Sequence, residues 1–278
     1  MPELLAKPAR PWALRLLPPF PAVANRVLAL VSTEDVAASQ ISEIIRLDPT
    51  FTAEILRVAN SALFGLAREI ASVRQAVTLL GLDRIKAIAT FVALHAMVKP
   101  AMGMEALRKC WVHSLVTAIL TEESARASGG TLEGAYTAGM LHNLGSLGLM
   151  SAYPDEYSRM LEVTRECGFD LILTERDLFE IDHCAAGAYL ATEWNFPDAI
   201  VEAIATHHSE PRKASSLSGL VRISWRVADV LGFAAFPPDR PWIYDELLAM
   251  IPASGNSWLR AGLDEVKRQV VSRLGSWH

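Results

Sequence analysis

Apolar residues recur along this chain at helical intervals and almost nowhere at a period of two. Ile41, Ile44 and Ile45, then Phe51, Ile55, Val58 and Ala59, then Val73, Ala76, Val77 and Leu80 each trace one face of a 3.6-residue turn. A half-buried sheet needs alternation, so its near absence excludes sheet architectures and predicts an all-α fold in which each apolar stripe is buried against another helix. With 278 residues, 51% of them apolar and 21% charged, the chain has enough apolar surface for one large core or two lobes.

Start and stop signals divide the pattern into helices of ordinary length. Asp48-Pro49 ends one helix and begins the next, because the residue before proline avoids the α region. Ser72 followed by Gln75 reads as a capping box, and Gly81 ends that helix. Asp83 can cap a helix running to about Val98, where Lys99-Pro100 stops it; this helix is expected to bridge two lobes. The helix carrying Trp111 and His113 should stop at Gly129-Gly130, and Thr131 can cap its successor, which carries His142. Later breaks fall at Tyr153-Pro154, Gly168, Pro197, Pro211 and the prolines from Pro237 to Pro241. The expected organisation is an extension over residues 1–13, an N-terminal helical lobe over 14–98 packed on a helical bundle over 102–235, and a C-terminal helical cap over 236–278. There is no internal repeat or low-complexity segment.

A net charge of -5 and a pI near 5.8 supply no global attraction to nucleic acid or an anionic membrane. The most apolar stretch, Ile85 to Val98, is too short to span a bilayer and contains Lys86 and His95, so no membrane association is expected. Near the N-terminus only a short run, Ala13 to Leu17, stands among Lys7, Arg10 and Arg15 before Pro18-Pro19, which is no secretory h-region. Cys110, Cys167 and Cys184 are widely spaced, without a Cys-x-x-Cys, and read as buried thiols of a reducing compartment. A cytoplasmic location is expected.

Five histidines, His113, His142, His183, His207 and His208, lie at separate helix-like positions in the second half, and Asp229 follows on another amphipathic run. One imidazole per helix, converging inside a bundle, is how helical proteins assemble a site for a first-row divalent metal. The same residues also suit a set of buried polar groups hydrogen-bonded between helices, and His207-His208 suit a C-terminal cap ahead of Pro211. Trp111, Trp194, Phe196 and Trp225 read as core aromatics rather than a ligand platform, and Asn60-Ser61 as helix-end and turn residues rather than a recognition element.

Leu141-His142-Asn143-Leu144-Gly145 resembles the His-Asp motif of the HD-superfamily metal phosphohydrolases, with Trp111-x-His113-Ser114 before it and His207-His208 and Asp229 after it. The resemblance implies that His113, His142, position 143 and Asp229 are the core metal positions, and that His183, His207 and His208 match the extra ligands of binuclear members, including the cyclic-di-GMP phosphodiesterase branch. The N-terminal half resembles something narrower. Leu17-Pro18-Pro19-Phe20-Pro21, Asp48-Pro49, Arg57-Val58-Ala59-Asn60-Ser61, Ile70-Ala71-Ser72 with Ala76, and Leu80-Gly81 are similar to the HDOD signature, and the likeness covers roughly residues 14–210. HDOD domains are output or adaptor modules of bacterial signalling, generally without demonstrated catalysis.

The sequence departs from the active HD pattern. Asn143 stands where a metal-bridging Asp is expected, Ser146 where binuclear enzymes often have Lys, and there is no Gly-Tyr-Pro segment. A neutral amide neither offsets a cation's charge nor supports a metal-bound hydroxide. The expectation is therefore a non-catalytic signal-transduction output or adaptor domain that binds a signalling protein or a nucleotide second messenger. His113, His142, Asn143, His183, His207, His208 and Asp229 become vestigial metal positions, and no cofactor is expected beyond a residual divalent ion that their chemistry still allows. The alternative is a metal-dependent phosphohydrolase acting on a cyclic dinucleotide; nucleic-acid binding has fold analogy for it and the acidic pI against it.

Overall fold

Short polar side chains start these helices by taking backbone N–H groups that have no partner inside the helix. In the computed structural model, which describes residues 9–31, 37–63, 69–127, 134–211, 216–237, 240–251 and 258–275, Asp48, Ser72, Asp170, Asp182 and Ser216 each cap a helix in this way. No strand occurs among the described residues. The N-terminal helices are α1 (Ala22–Val31), α2 (Ala38–Arg46), α3 (Pro49–Ala59) and α4 (Val73–Val98). There follow α5 (Glu105–Ala127), α6 (Ala135–Leu141), α7 (Leu144–Ala152), α8 (Pro154–Cys167), α9 (Leu171–Phe179), α10 (His183–Glu193) and α11 (Asp198–Thr206). α12 (Leu217–Ala228) runs into a π-turn (Asp229–Phe233), and α13 (Tyr244–Ala249) and α14 (Leu263–Leu274) complete the chain.

Gly81 breaks α4 as its sequence position predicts: with φ 77° and ψ 173° it holds a conformation open essentially to glycine alone, so two helical stretches meet there at a kink. α4 then packs on α1, α2 and α3 on one side and on α6 and α7 on the other, so it joins the N-terminal helices to the bundle. The bundle centres on α5, which lies against α6 and α12, while α7 lies against α10 and α10 against α11. Ser72 Oγ accepts from Gln75 N, but the Gln75 amide reaches the N–H of Ala71 rather than that of Ser72, a capping box displaced by one residue. Thr131 and the Gly129-Gly130 pair lie outside the described residues.

Asn60 is a structural residue. Its amide donates to the carbonyls of Leu56 and Ile70 and accepts from Ile70 N, stitching the end of α3 to the approach of α4. The proline-rich entry reaches across to the bundle: Trp12 meets Tyr153 and Phe179, Leu17 lies against Gly148, and Phe20 stacks on Trp194 at 4.4 Å. The buried apolar side chains form one contiguous core from Ala13 to Leu274. Trp111, Trp194, Phe196 and Trp225 all belong to the interior. The thiols divide differently from expectation, since Cys110 is buried, Cys184 half-buried and Cys167 exposed at the end of α8.

Candidate functional site

Five imidazoles meet in the bundle because four helices or helix ends deliver them to one place. His113 points inward from the middle of α5, and His142 closes α6 with Asn143 opening α7. His183 is the first residue of α10, and His207 and His208 follow α11. What draws these ends together is the close approach of α7 to α10. A Cβ on Gly145 would lie 1.9 Å from the His183 carbonyl oxygen and 2.7 Å from Gly187 N, so only glycine at 145 lets the two backbones touch.

The rings form a continuous cluster. Centroids lie 5.3 Å apart for His113 and His142, 5.2 Å for His142 and His207, 5.3 Å for His183 and His207, and 4.5 Å for His207 and His208. Asp229 enters from the first residue of the π-turn, its Oδ1 3.5 Å from His113 Nδ1. All seven residues expected from sequence therefore converge on one region.

The hydrogen bonds decide which ring nitrogen faces the centre. Nδ1 of His113 donates to the Phe233 carbonyl at 2.8 Å, Nδ1 of His142 to Gly139 at 2.7 Å, and Nδ1 of His207 to Ile204 at 2.8 Å. The Nε2 atoms of these three rings are buried and have no partner, as is the side-chain nitrogen of Asn143. Burial pushes the three imidazoles down, His113 to about 4, with the neighbouring histidines lowering His142 and His207 further. They are neutral at physiological pH and present lone pairs inward. A carbonyl on one nitrogen and a free lone pair on the other is the arrangement of a metal-ligating histidine, so these residues fit a divalent ion held through nitrogen. They do not fit a carboxylate-bridged pair, because the central position is an amide.

Glu175, on α9, is the functional residue that sequence reasoning missed. Fully buried, it accepts from the backbone N–H and Nδ1 of His183, at 2.9 and 2.6 Å, and from the Tyr157 hydroxyl. Burial works to lower His183, but the Glu175 carboxylate and the neighbouring Cys184 side chain together outweigh it and hold His183 well above the ordinary range. His183 Nε2 then donates to His208 Nε2 at 2.9 Å, and His208 is pushed down to about 2 by burial and the His183 charge. No local pattern marks Glu175, since an acid on an amphipathic helix is ordinarily solvated. Arg226, buried between Trp225 and Trp242, donates to the carbonyls of Ser209 and Arg222 and secures the segment after α11.

With the site in view, comparison with known proteins defines the lineage. The model of the HDOD domain matches residues 17–210, the region whose signature residues the sequence displays. The chain belongs to the HDOD domain family. An HDOD domain protein of unknown function from Geobacter sulfurreducens has the same fold, with a TM-score of 0.70 at 24% identity over 92% of this chain and 93% of that one. A candidate phosphohydrolase from Shewanella amazonensis SB2B superposes with a TM-score of 0.73 at 26% identity over 95% and 97% of the two chains. A candidate signal transduction protein from Marinobacter aquaeolei VT8 gives 0.70 at 22% identity over 93% of this chain and 58% of its own. An uncharacterized protein of Treponema pallidum (strain Nichols) is 24% identical over 207 residues, and this chain spans 40% of its length.

In this HDOD domain the cluster opens to one side. A cavity of about 370 Å³ lies between the α8–α9 turn and the π-turn. Its walls include Phe169, Trp225 and Phe236, and Asn143, His208 and Asp229 form its polar floor. Trp225 is thus both core residue and cavity wall, with His208 against its ring at 4.6 Å. No helix among the described residues is long and apolar enough to cross a membrane.

Proposed function

We propose that this HDOD domain is a non-catalytic output or adaptor module of cytoplasmic signal transduction, which acts by binding. The observation that carries this reading is Asn143. It is 2% exposed, sits at the mouth of the histidine cluster where HD hydrolases place a bridging carboxylate, and offers an unpartnered amide in its place. A divalent ion held by His113, His142 and Asp229 would supply Lewis-acid polarisation. Asn143 removes the carboxylate that would bridge a pair of ions, so on this reading the retained groups bind and orient rather than run a two-ion hydrolysis.

The cavity supports a small-molecule signal as the bound partner. Aromatic walls over a floor of amide, imidazole and carboxylate suit a planar heterocycle read by hydrogen bonds, the character of a nucleotide second messenger. The exposed side chain of Phe169 in its wall supports transmission to a signalling protein. The second reading, a metal-dependent phosphohydrolase, is favoured by the inward lone pairs of His113, His142 and His207. One assay separates the two. Purified protein supplied with Mg, Mn, Fe or Zn is expected to leave cyclic dinucleotides, nucleoside triphosphates and generic phosphodiesters intact, while calorimetry detects nucleotide binding that weakens in Trp225→Ala. Turnover that disappears in His142→Ala would establish the hydrolase instead.

A further inference from the structure

The cavity beside the histidine cluster carries different chemistry at its floor, its walls and its edge. Asn143 and Asp229 lie in the floor, Phe169, Trp225 and Phe236 in the walls, and Arg165, an exposed residue of α8, completes the lining. We propose that the cavity takes a ligand of mononucleotide size, with one ring system and one phosphate. In that complex Asn143 and Asp229 read a lactam edge of the ring, a carbonyl adjoining an N–H, and Arg165 holds the phosphate, with no metal ion between protein and ligand. Such a ligand presupposes the small-molecule reading above and narrows it to one chemical class.

The side-chain nitrogen of Asn143 carries this assignment. It is buried and meets no hydrogen-bond partner, on a residue only 2% exposed. An amide nitrogen has two N–H donors and no lone pair for a cation, so an acceptor satisfies it and an ion does not. A ring carbonyl entering the cavity supplies that acceptor, whereas a ring without one leaves the donor buried and unsatisfied. Asp229 offers the complementary group. Its Oδ1 lies 3.5 Å from His113 Nδ1, whose proton goes to the Phe233 carbonyl at 2.8 Å, and a carboxylate has acceptor capacity beyond such a contact. A donor and an acceptor side by side match the C=O and N–H of a lactam. Adenine presents the reverse order, an amino donor beside a ring-nitrogen acceptor.

Size, walls and charge complete the fit. A volume of about 370 Å³ stands near the lower end of the about 300–1,000 Å³ of small-ligand pockets, room for one nucleotide rather than two linked ones. Trp225 is a fixed stacking surface, with the His208 ring at 4.6 Å and the Arg226 guanidinium at 4.5 Å from its own. Arg165 enters no ion pair among the described residues, so its planar fork is available to a phosphate. Asp170, the other carboxylate of the lining, is engaged as the cap of α9, accepting from Leu173 N at 2.8 Å.

Calorimetry of chelator-treated protein with inosine monophosphate and adenosine monophosphate, which differ only at the edge in question, tests the assignment. The expected result is one inosine monophosphate bound with chelator present, and adenosine monophosphate weaker by about tenfold or more. Inosine, lacking the phosphate, should bind about tenfold more weakly than its monophosphate, and cyclic di-GMP more weakly than GMP. These comparisons need no variant. Asn143→Ala should erase the preference between the two monophosphates, and Arg165→Gln should weaken inosine monophosphate while leaving inosine unchanged, with circular dichroism checking that each variant folds. Equal binding of the two monophosphates, equal binding of inosine and its monophosphate, cyclic di-GMP binding as tightly as GMP, or binding that requires added zinc or manganese overturns the assignment. In those cases any binding that Trp225→Ala weakens still supports the broader small-molecule reading. No binding by any of these compounds overturns both.

Discussion

Asn143 sits among neutral rings with an amide nitrogen that meets no partner, so the residue's surroundings remain those of a ligand while its charge is gone. Asn143→Asp puts a carboxylate back beside His113 and His142. In metal-free protein that buried charge has no counter-ion and should cost about 1–3 kcal/mol of stability. With zinc or manganese supplied, occupancy at that end should rise above the unmutated level, as elemental analysis would measure; unchanged occupancy would mean that the rings do not converge on an ion there. Glu175 gives a second prediction. Glu175→Gln removes the charge that three donors address and should lower stability by about 1.5–3 kcal/mol in urea unfolding, with Tyr157→Phe losing less. An unchanged midpoint would show that Glu175 does not anchor α9 to α10. The seven expected positions could be named through the resemblance to the HD-superfamily motif, since histidine spacing by itself suits buried hydrogen-bonded groups equally well. Glu175 could not, since its contacts come from helices that meet only after folding.

Gly145 and Gly81 are alike in sequence but serve helix architecture for different physical reasons. A Cβ at 145 would run into the backbone of α10, whereas one at 81 would meet nothing within 4 Å and would suffer only from φ 77°. Gly145→Ala should therefore force α7 from α10 and destabilise by about 3 kcal/mol or more, the upper range of overpacking, and should perturb the His183 ring signals in NMR spectra. Gly81→Ala should cost about 1–3 kcal/mol as backbone strain and leave those signals in place. Equal effects of the two substitutions on the His183 signals would contradict this assignment. The caps at Asp48 and Ser72 and the stops at Pro154 and Gly168 could be read directly, because each rests on backbone chemistry within four residues. The π-turn at Asp229 could not, because its extra residue is decided by the packing that brings the Phe233 carbonyl to His113.

At the scale of the whole molecule, the core is continuous from the proline-rich entry to α14, whose Val266, Val270 and Leu274 are buried while Arg273 pairs with Glu122 and Glu123 of α5. Arg84 of α4 reaches the same Glu122, so helices distant in sequence share one ionic node. Urea unfolding followed by far-ultraviolet circular dichroism and by tryptophan fluorescence should therefore give coincident transitions; two separated transitions would mean that the N-terminal helices and the bundle unfold independently. By itself the sequence determined the helical class and most helix ends, through periodicity and capping chemistry, and the HDOD membership, through its resemblance to the family's spaced motifs. Only the tertiary structure decided which imidazole nitrogen faces inward, that Glu175 pairs with His183, that Cys184 lies beside His207, and that Trp225 walls a cavity. Those facts depend on distances between side chains far apart in the chain, and local rules of helix formation carry no information about such distances.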